Sequence, residues 1–252
     1  MKNYLRNNWK FLLFVMLGGL IGGYCIGIYS YDSLTEEMLS LLREQNATRE
    51  LIALSSMVQY GIVFGVVLAA VGILFSEKVH LWKSFRPDRK AILMTSIISI
   101  FSALCLFPGD MLIFGSLNEW VRNQYMSSPT IWKILGGLLV GGIIEEVMMR
   151  LFLMSLCVLI ISRIFFKDRK EIPVCVYIIS NIIAAILFAA GHIPSTMMMT
   201  SLTPVILIRC FLFNGGLGLA FGYLYRKFGI GYAMIAHGLA HLISDILMIV
   251  FW

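Results

Sequence analysis

Charge is scarce in this sequence. Of its 252 residues, 13% are Asp, Glu, Lys or Arg, about half of the roughly 25% that a soluble globular domain carries on its wet surface. With 59% apolar residues, the shortage excludes an ordinary soluble domain, and the apolar content excludes intrinsic disorder. Cysteine is sparse too. The five (Cys25, Cys105, Cys157, Cys175 and Cys210) are odd in number and fall inside apolar runs, so no disulfide framework is expected, and no pair has zinc-knuckle spacing. Alternation with a period of two is missing from those runs, which argues against a β-barrel. No internal repeat is evident, so an inverted-repeat transporter gains no support. The net charge of +6 is scattered among connecting turns and implies no nucleic-acid partner.

What is present is a series of long apolar runs, at roughly 11–29, 51–75, 91–108, 131–166, 173–192, 201–225 and 229–252. About 20 helical residues cross a hydrocarbon core. The expected fold is therefore all-α: one integral membrane domain over 1–252, a multi-pass transmembrane bundle of seven or eight spans. The first run follows Lys2, Arg6 and Lys10, like the start of a signal peptide, but it is too long for one and no clear cleavage site follows, so a retained helix is expected. The connecting segments alternate in charge. The N-terminal segment carries +3, residues 31–50 −3, 77–90 +3, 109–130 −1, 163–171 +2, 193–200 none and Arg226-Lys227 +2. Retention of Lys and Arg inside puts the N-terminus in the cytoplasm, and the membrane is the plasma membrane if the source is bacterial. Residues 33–50 could form a short amphipathic helix at the outer surface. Glycines at small-xxx-small spacing (Gly18/Gly22, Gly19/Gly23/Gly27, Gly137/Gly141) predict close helix packing.

A few ionisable groups lie where lipid-spanning helices should carry none: Glu145, Glu146, Arg150, His192, Arg209, His237, His241 and Asp245. Such groups cost about 2.5–3.5 kcal/mol each on insertion scales and are functional candidates. In VGGIIEEVMMR (140–150), Glu146 and Arg150 are spaced i,i+4 and can pair. Glu145 points about 100° away without a local partner, which suits a general base. The basic turn KDRK (167–170) joins two helices into a hairpin. Glu145 precedes position 169 by 24 residues and His192 follows it by 23, so the two stand at one height. His237, His241 and Asp245 share one helical stripe at i,i+4,i+8, and His237 can reach the same depth. Their alternative role is a polar stripe that joins helices. Two His at i,i+4 can also bind zinc, but the Glu of the usual helical protease signature is replaced by Gly238. No cofactor is expected, and zinc stays open as an alternative.

EEVMMR (145–150) matches an EExxxR motif, FAAGH (188–192) matches FxxxH, and HGLAH (237–241) resembles a third motif, HxxxN or HxxxD. GLAFGYLYRKFG (218–229) resembles the usual lead-in to it. In this order the motifs resemble those of the CAAX protease and bacteriocin-processing family of intramembrane endopeptidases. The resemblance covers about 131–252, which would be the catalytic helical core. It implies glutamate-type proteolysis. Glu145 would activate a water that His192 helps to hold, and His237 and the residue in the Asx position would donate to the oxyanion. Glu146, Arg150, Phe188 and Asp245 would support the site. The Asx position is held by His241, whose neutral ring can donate one hydrogen bond. An alternative register uses His241 with Asp245 and makes His237 the support.

The expected activity is hydrolysis of a peptide bond in a membrane-associated or lipidated peptide or protein, with the lipid bilayer as the other partner. Two alternatives remain at this stage. One is a non-catalytic bacteriocin-immunity or scaffold protein on the same fold. The other is a proton-coupled transporter, because buried Glu/His chains also relay protons.

Overall fold

The computed structural model describes residues 2–251, with side chains from residue 7 onward. The side chains of Lys2 and Arg6, and Trp252 at the end of the last run, lie outside the described residues. Among the described residues the structure is helical throughout, and seven helices are long and apolar enough to cross a membrane: α1 (Asn7–Asp32), α2 (Arg49–Lys78), α3 (Arg89–Ile113), α4 (Ile131–Phe165), α5 (Val174–Met197), α6 (Pro204–Phe228) and α7 (Ile230–Phe251). Each coincides with one of the apolar runs. The protein is a multi-pass integral membrane protein.

Helix starts follow local sequence chemistry. Thr48, Asp88, Thr130 and Thr203 each accept a hydrogen bond from the backbone N–H three residues on, which satisfies one of the donors left over at a helix start. Between α6 and α7 the chain turns at Gly229, whose φ of 105° is strained for any residue with a Cβ. The amphipathic segment forms a short helix, Glu36–Glu44, capped by Thr35. Several spans widen locally to i→i+5 hydrogen bonding. In α3 the widened turn Cys105–Gly109 contains Pro108, which has no N–H to give the ladder. In α4 two such stretches, Gly137–Glu145 and Val147–Met154, flank Glu146. Turns of this kind recur at functional sites.

Packing is organised around α4 and the N-terminal helix. Glycine lets backbones approach, as the spacing predicted, and α1 uses two faces to do so. A Cβ at Gly19, Gly23 or Gly27 would strike the backbone of α2 near Tyr60, Ser56 and Ala53, whereas one at Gly18 or Gly22 would strike Ile143 and Leu139 of α4. The α4–α7 crossing is similarly close, because a Cβ at Gly142 would stand 2.7 Å from the Cα of Gly238. Outward-facing Leu13, Phe14, Leu17 and Ile21 of α1 are exposed. In lipid such a stripe is the expected outer surface of a bundle.

Two polar clusters hold the bundle away from the glutamate–histidine region. Asp110, fully buried at the end of α3, accepts from the Arg209 guanidinium of α6 and from the Tyr125 hydroxyl. Burial and the adjoining Asp110 carboxylate hold the Tyr125 phenol well above its ordinary pKa, so it remains a donor. Arg209, one of the ionisable residues singled out in the sequence, therefore belongs to a separate ion pair. Tyr225 of α6 bonds Ser155 of α4 at 2.7 Å and Ser76 of α2 at 2.9 Å. These bonds satisfy three buried hydroxyls where three spans meet.

Candidate active site

Glu145 lies about midway along α4, on the wall of a cavity of about 420 Å³ formed by α1, α2, α4, α5 and α7. The α4–α5 hairpin brings His192 opposite it, as the equal counts from the turn predicted. Glu145 Oε1 stands 3.8 Å from His192 Nε2, and Glu145 Oε2 stands 3.8 Å from His237 Nε2. Both separations are shorter than the roughly 5.6 Å that one water can bridge with two ordinary hydrogen bonds. The Glu145 side chain keeps 23% of its surface accessible, whereas Glu146 keeps none. The two adjacent carboxylates are thus divided into one open to the cavity and one sealed behind it.

Each imidazole is oriented by a bond on its far side. His192 Nδ1 lies 2.8 Å from the carbonyl oxygen of Phe188. A carbonyl can only accept, so Nδ1 carries the proton, and Nε2, which faces Glu145, is the nitrogen that bears the lone pair when the ring is neutral. This explains the four-residue spacing of Phe188 and His192: the contact is the backbone reach of one helical turn, at the point where the long helical segment of α5 ends. The Phe188 ring also meets His192 edge-on at 4.7 Å. His237 Nδ1 lies 2.9 Å from Glu146 Oε1, and its Nε2 faces Glu145.

Glu146 is held in turn by Arg150, whose guanidinium is 3.4 Å from Glu146 Oε1 and donates to the carbonyl of Gly218 at 2.8 Å. Arg150 lies over the rings of Phe188 and Phe221 at 5.1 and 5.9 Å, and Phe221 stacks on His237 at 4.5 Å and 17°. Charge, hydrogen bond and cation–π contact together hold the buried pair, while Glu146 Oε2 and Arg150 Nε and Nη1 have no hydrogen-bond partner among the described residues. Phe221 escaped the sequence reading, and its signal was present as the Phe of the GLAFGYLYRKFG lead-in. His241 stacks on His237 at 5.1 Å and lines the cavity. It lies against Gly141, where a Cβ would come within 2.8 Å of its Nε2. Gly137 and Gly141 thus make room for a functional candidate as well as for a helix crossing. Asp245 is not brought to the cavity. Lys133 of α4, another residue the sequence reading missed, pairs with it at 3.2 Å.

Among the described residues, no three His, Cys, Asp or Glu side chains are arranged to hold a metal ion. The arrangement offers a carboxylate and an imidazole lone pair to one water, with further imidazoles beside them in a site walled by apolar side chains. That is the equipment of base-assisted hydrolysis.

No curated protein and no solved structure matches the chain. Residues 127–243, which include Glu145, His192, His237 and His241 and stop short of Asp245, match the family model described as Type II CAAX prenyl endopeptidase Rce1-like, so the family read from the three sequence motifs is the one that matches.

Proposed function

We propose that the protein is an intramembrane endopeptidase of glutamate type. The observation that carries this reading is the Glu145 carboxylate, on the wall of the cavity that His192 and His241 also line, 3.8 Å from Nε2 of both His192 and His237. A water between Glu145 and His192 donates one hydrogen bond to the carboxylate and the other to the bare Nε2. Its lone pairs then face the scissile carbonyl. As the oxygen attacks the carbonyl carbon, its proton passes to Glu145. The oxyanion accepts hydrogen bonds from His237, when its Nε2 carries a proton, and from the N–H of His241. Collapse breaks the C–N bond, and Glu145 returns the proton to the leaving amine. Glu146 and Arg150 hold His237 in place, and Phe188 holds His192 through its carbonyl.

The test is cleavage of short prenylated and unprenylated peptides by the purified protein in detergent. Glu145→Ala should reduce turnover to background and His192→Ala should reduce it strongly. Cleavage unchanged in Glu145→Ala sinks the reading. A non-catalytic role predicts a biological phenotype that survives both substitutions. A zinc-dependent mechanism predicts loss of turnover after chelation and recovery with added zinc, whereas the glutamate mechanism predicts turnover insensitive to both.

A further inference from the structure

Three observations bear on the side from which this cavity is reached. The first is a missing wall. The long helical segment of α5 ends at Gly191, beside His192, whereas α4, packed against it, continues for 14 more residues beyond Glu145 to Ile131, about 20 Å at ~1.5 Å per residue. The space left above His192 is part of the cavity, bordered by Tyr29 and Ser30 at the end of α1, Gly136 of α4, and Ser195 and Met199 just past His192. The second is the identity of the connectors at this end. Segments 33–48, 114–130 and 198–203 join the helices there, and two of them touch at the rim, where the Thr35 N–H donates to the Met198 carbonyl. The third is charge. Lys and Arg number three in the N-terminal segment, five in 77–90, four in 163–171 and two at Arg226-Lys227, all at the opposite end of the bundle. The connectors at the mouth hold Arg43 and Arg122, and the adjoining first turns of α2 and α4 add Arg49 and Lys133, four against fourteen.

Lys and Arg near span ends are retained in the cytoplasm. We propose that the cavity opens to the extracytoplasmic side of the membrane, and that the protein acts on unprenylated apolar segments of exported or membrane-anchored peptides. The proposal rests on the reading of Glu145 as the catalytic base. A prenylated tail inserts from the cytoplasmic leaflet, the side away from the mouth. The cavity instead presents Ile26, Val140, Met148, Met149, Leu187 and Met199, which suit the side chains of an extended apolar segment descending from outside.

Accessibility of single cysteines tests the orientation without any substrate. In a variant with the five native cysteines replaced by Ser or Ala, Ser195→Cys and Met199→Cys mark the mouth, and Asp168→Cys marks the basic turn. A membrane-impermeant maleimide on intact cells should label the mouth positions at least tenfold more than Asp168→Cys, with the difference erased by permeabilisation. The reverse pattern overturns the proposal. If the cysteine-free variant does not accumulate, alkaline phosphatase fused after Phe251 of the native chain should be active and a fusion at Asp168 inactive, and the opposite pair of results overturns the proposal equally. For the substrate class, an apolar peptide should be cleaved at least as fast as the same peptide ending in a farnesylated cysteine. Cleavage that requires the prenyl group refutes that part. Reversed labelling together with Glu145-dependent cleavage removes the orientation alone. The expected labelling with no cleavage of any peptide removes the peptidase reading alone.

Discussion

Gly141→Ala probes the site at one atom. The added methyl would stand 2.8 Å from His241 Nε2, 2.9 Å from its Cδ2 and 3.7 Å from His237 Nε2. Ordinary carbon contacts lie at about 3.5–4.0 Å, so the His241 ring must retreat by roughly 0.6 Å or more. It is stacked on His237, so the retreat disturbs both side chains to which the proposed mechanism gives the oxyanion. Misplacement by about 1 Å can cost on the order of 10²-fold, and loss of one oxyanion-hole donor costs about 10²–10³-fold in kcat. The expected result is a fall in kcat of about 10–100-fold with KM little changed. Overpacking in general also costs stability, by about 1–3 kcal/mol, and thermal unfolding measures that part separately. The decisive comparison is His241→Asn. Asparagine lacks the ring atoms that the methyl meets, and its amide can still donate. In that background Gly141→Ala should cost less than about threefold, a non-additivity expected of residues in contact. Peptide cleavage by the four proteins, wild type, two single variants and the double, gives the coupling directly. Equal penalties in both backgrounds, or a Gly141→Ala protein with wild-type kcat, would refute the role given to His241.

Other substitutions separate architecture from chemistry. Gly142→Ala places its methyl against the backbone of Gly238, so it should force α4 and α7 apart and lower the thermal midpoint more than Gly141→Ala does. Arg150→Met leaves the sealed Glu146 carboxylate without its cation, a loss of about 3–5 kcal/mol for a buried pair. The double change Glu146→Gln/Arg150→Met should recover much of that stability in thermal unfolding while leaving His237 poorly held and kcat low. Asp110→Asn breaks the ion pair with Arg209 and weakens the bond from Tyr125. It should lower the unfolding midpoint with kcat unchanged in the surviving protein, and a selective loss of kcat would show that this cluster is coupled to the cavity.

The spans were legible because lipid imposes one simple rule, an apolar run about 20 residues long, and all seven runs became helices. The meeting of Glu145 with His192 was legible for a similar reason. A hairpin with equal counts on either side of its turn puts the two residues at one height whatever the neighbouring packing. The Glu146–Arg150 pair followed from helical periodicity alone. The remainder depends on contacts between helices that sequence spacing does not encode. Nothing in the stripe of α7 reveals that Asp245 turns to Lys133 while His237 turns to Glu146, because that choice is set by the rotation of α7 against α4. Phe221 lies one span before His237 and two after Arg150 in chain order, and it comes beneath His237 only when α6 packs beside α7. Gly141 read as a packing glycine, which it is, and the ring for which it leaves room became visible only with α7 in place.

The early end of the long α5 segment also acts as a ruler. Glu145 lies 14 residues along α4 from its near end, so a substrate entering from that end must reach down about 20 Å. An extended chain advances about 3.3 Å per residue, so roughly six residues of unfolded peptide must hang below any folded or bulky part before a peptide bond meets the water. A folded domain would be stopped at the rim, and cleavage would fall a near-constant distance from it, whatever the sequence in between.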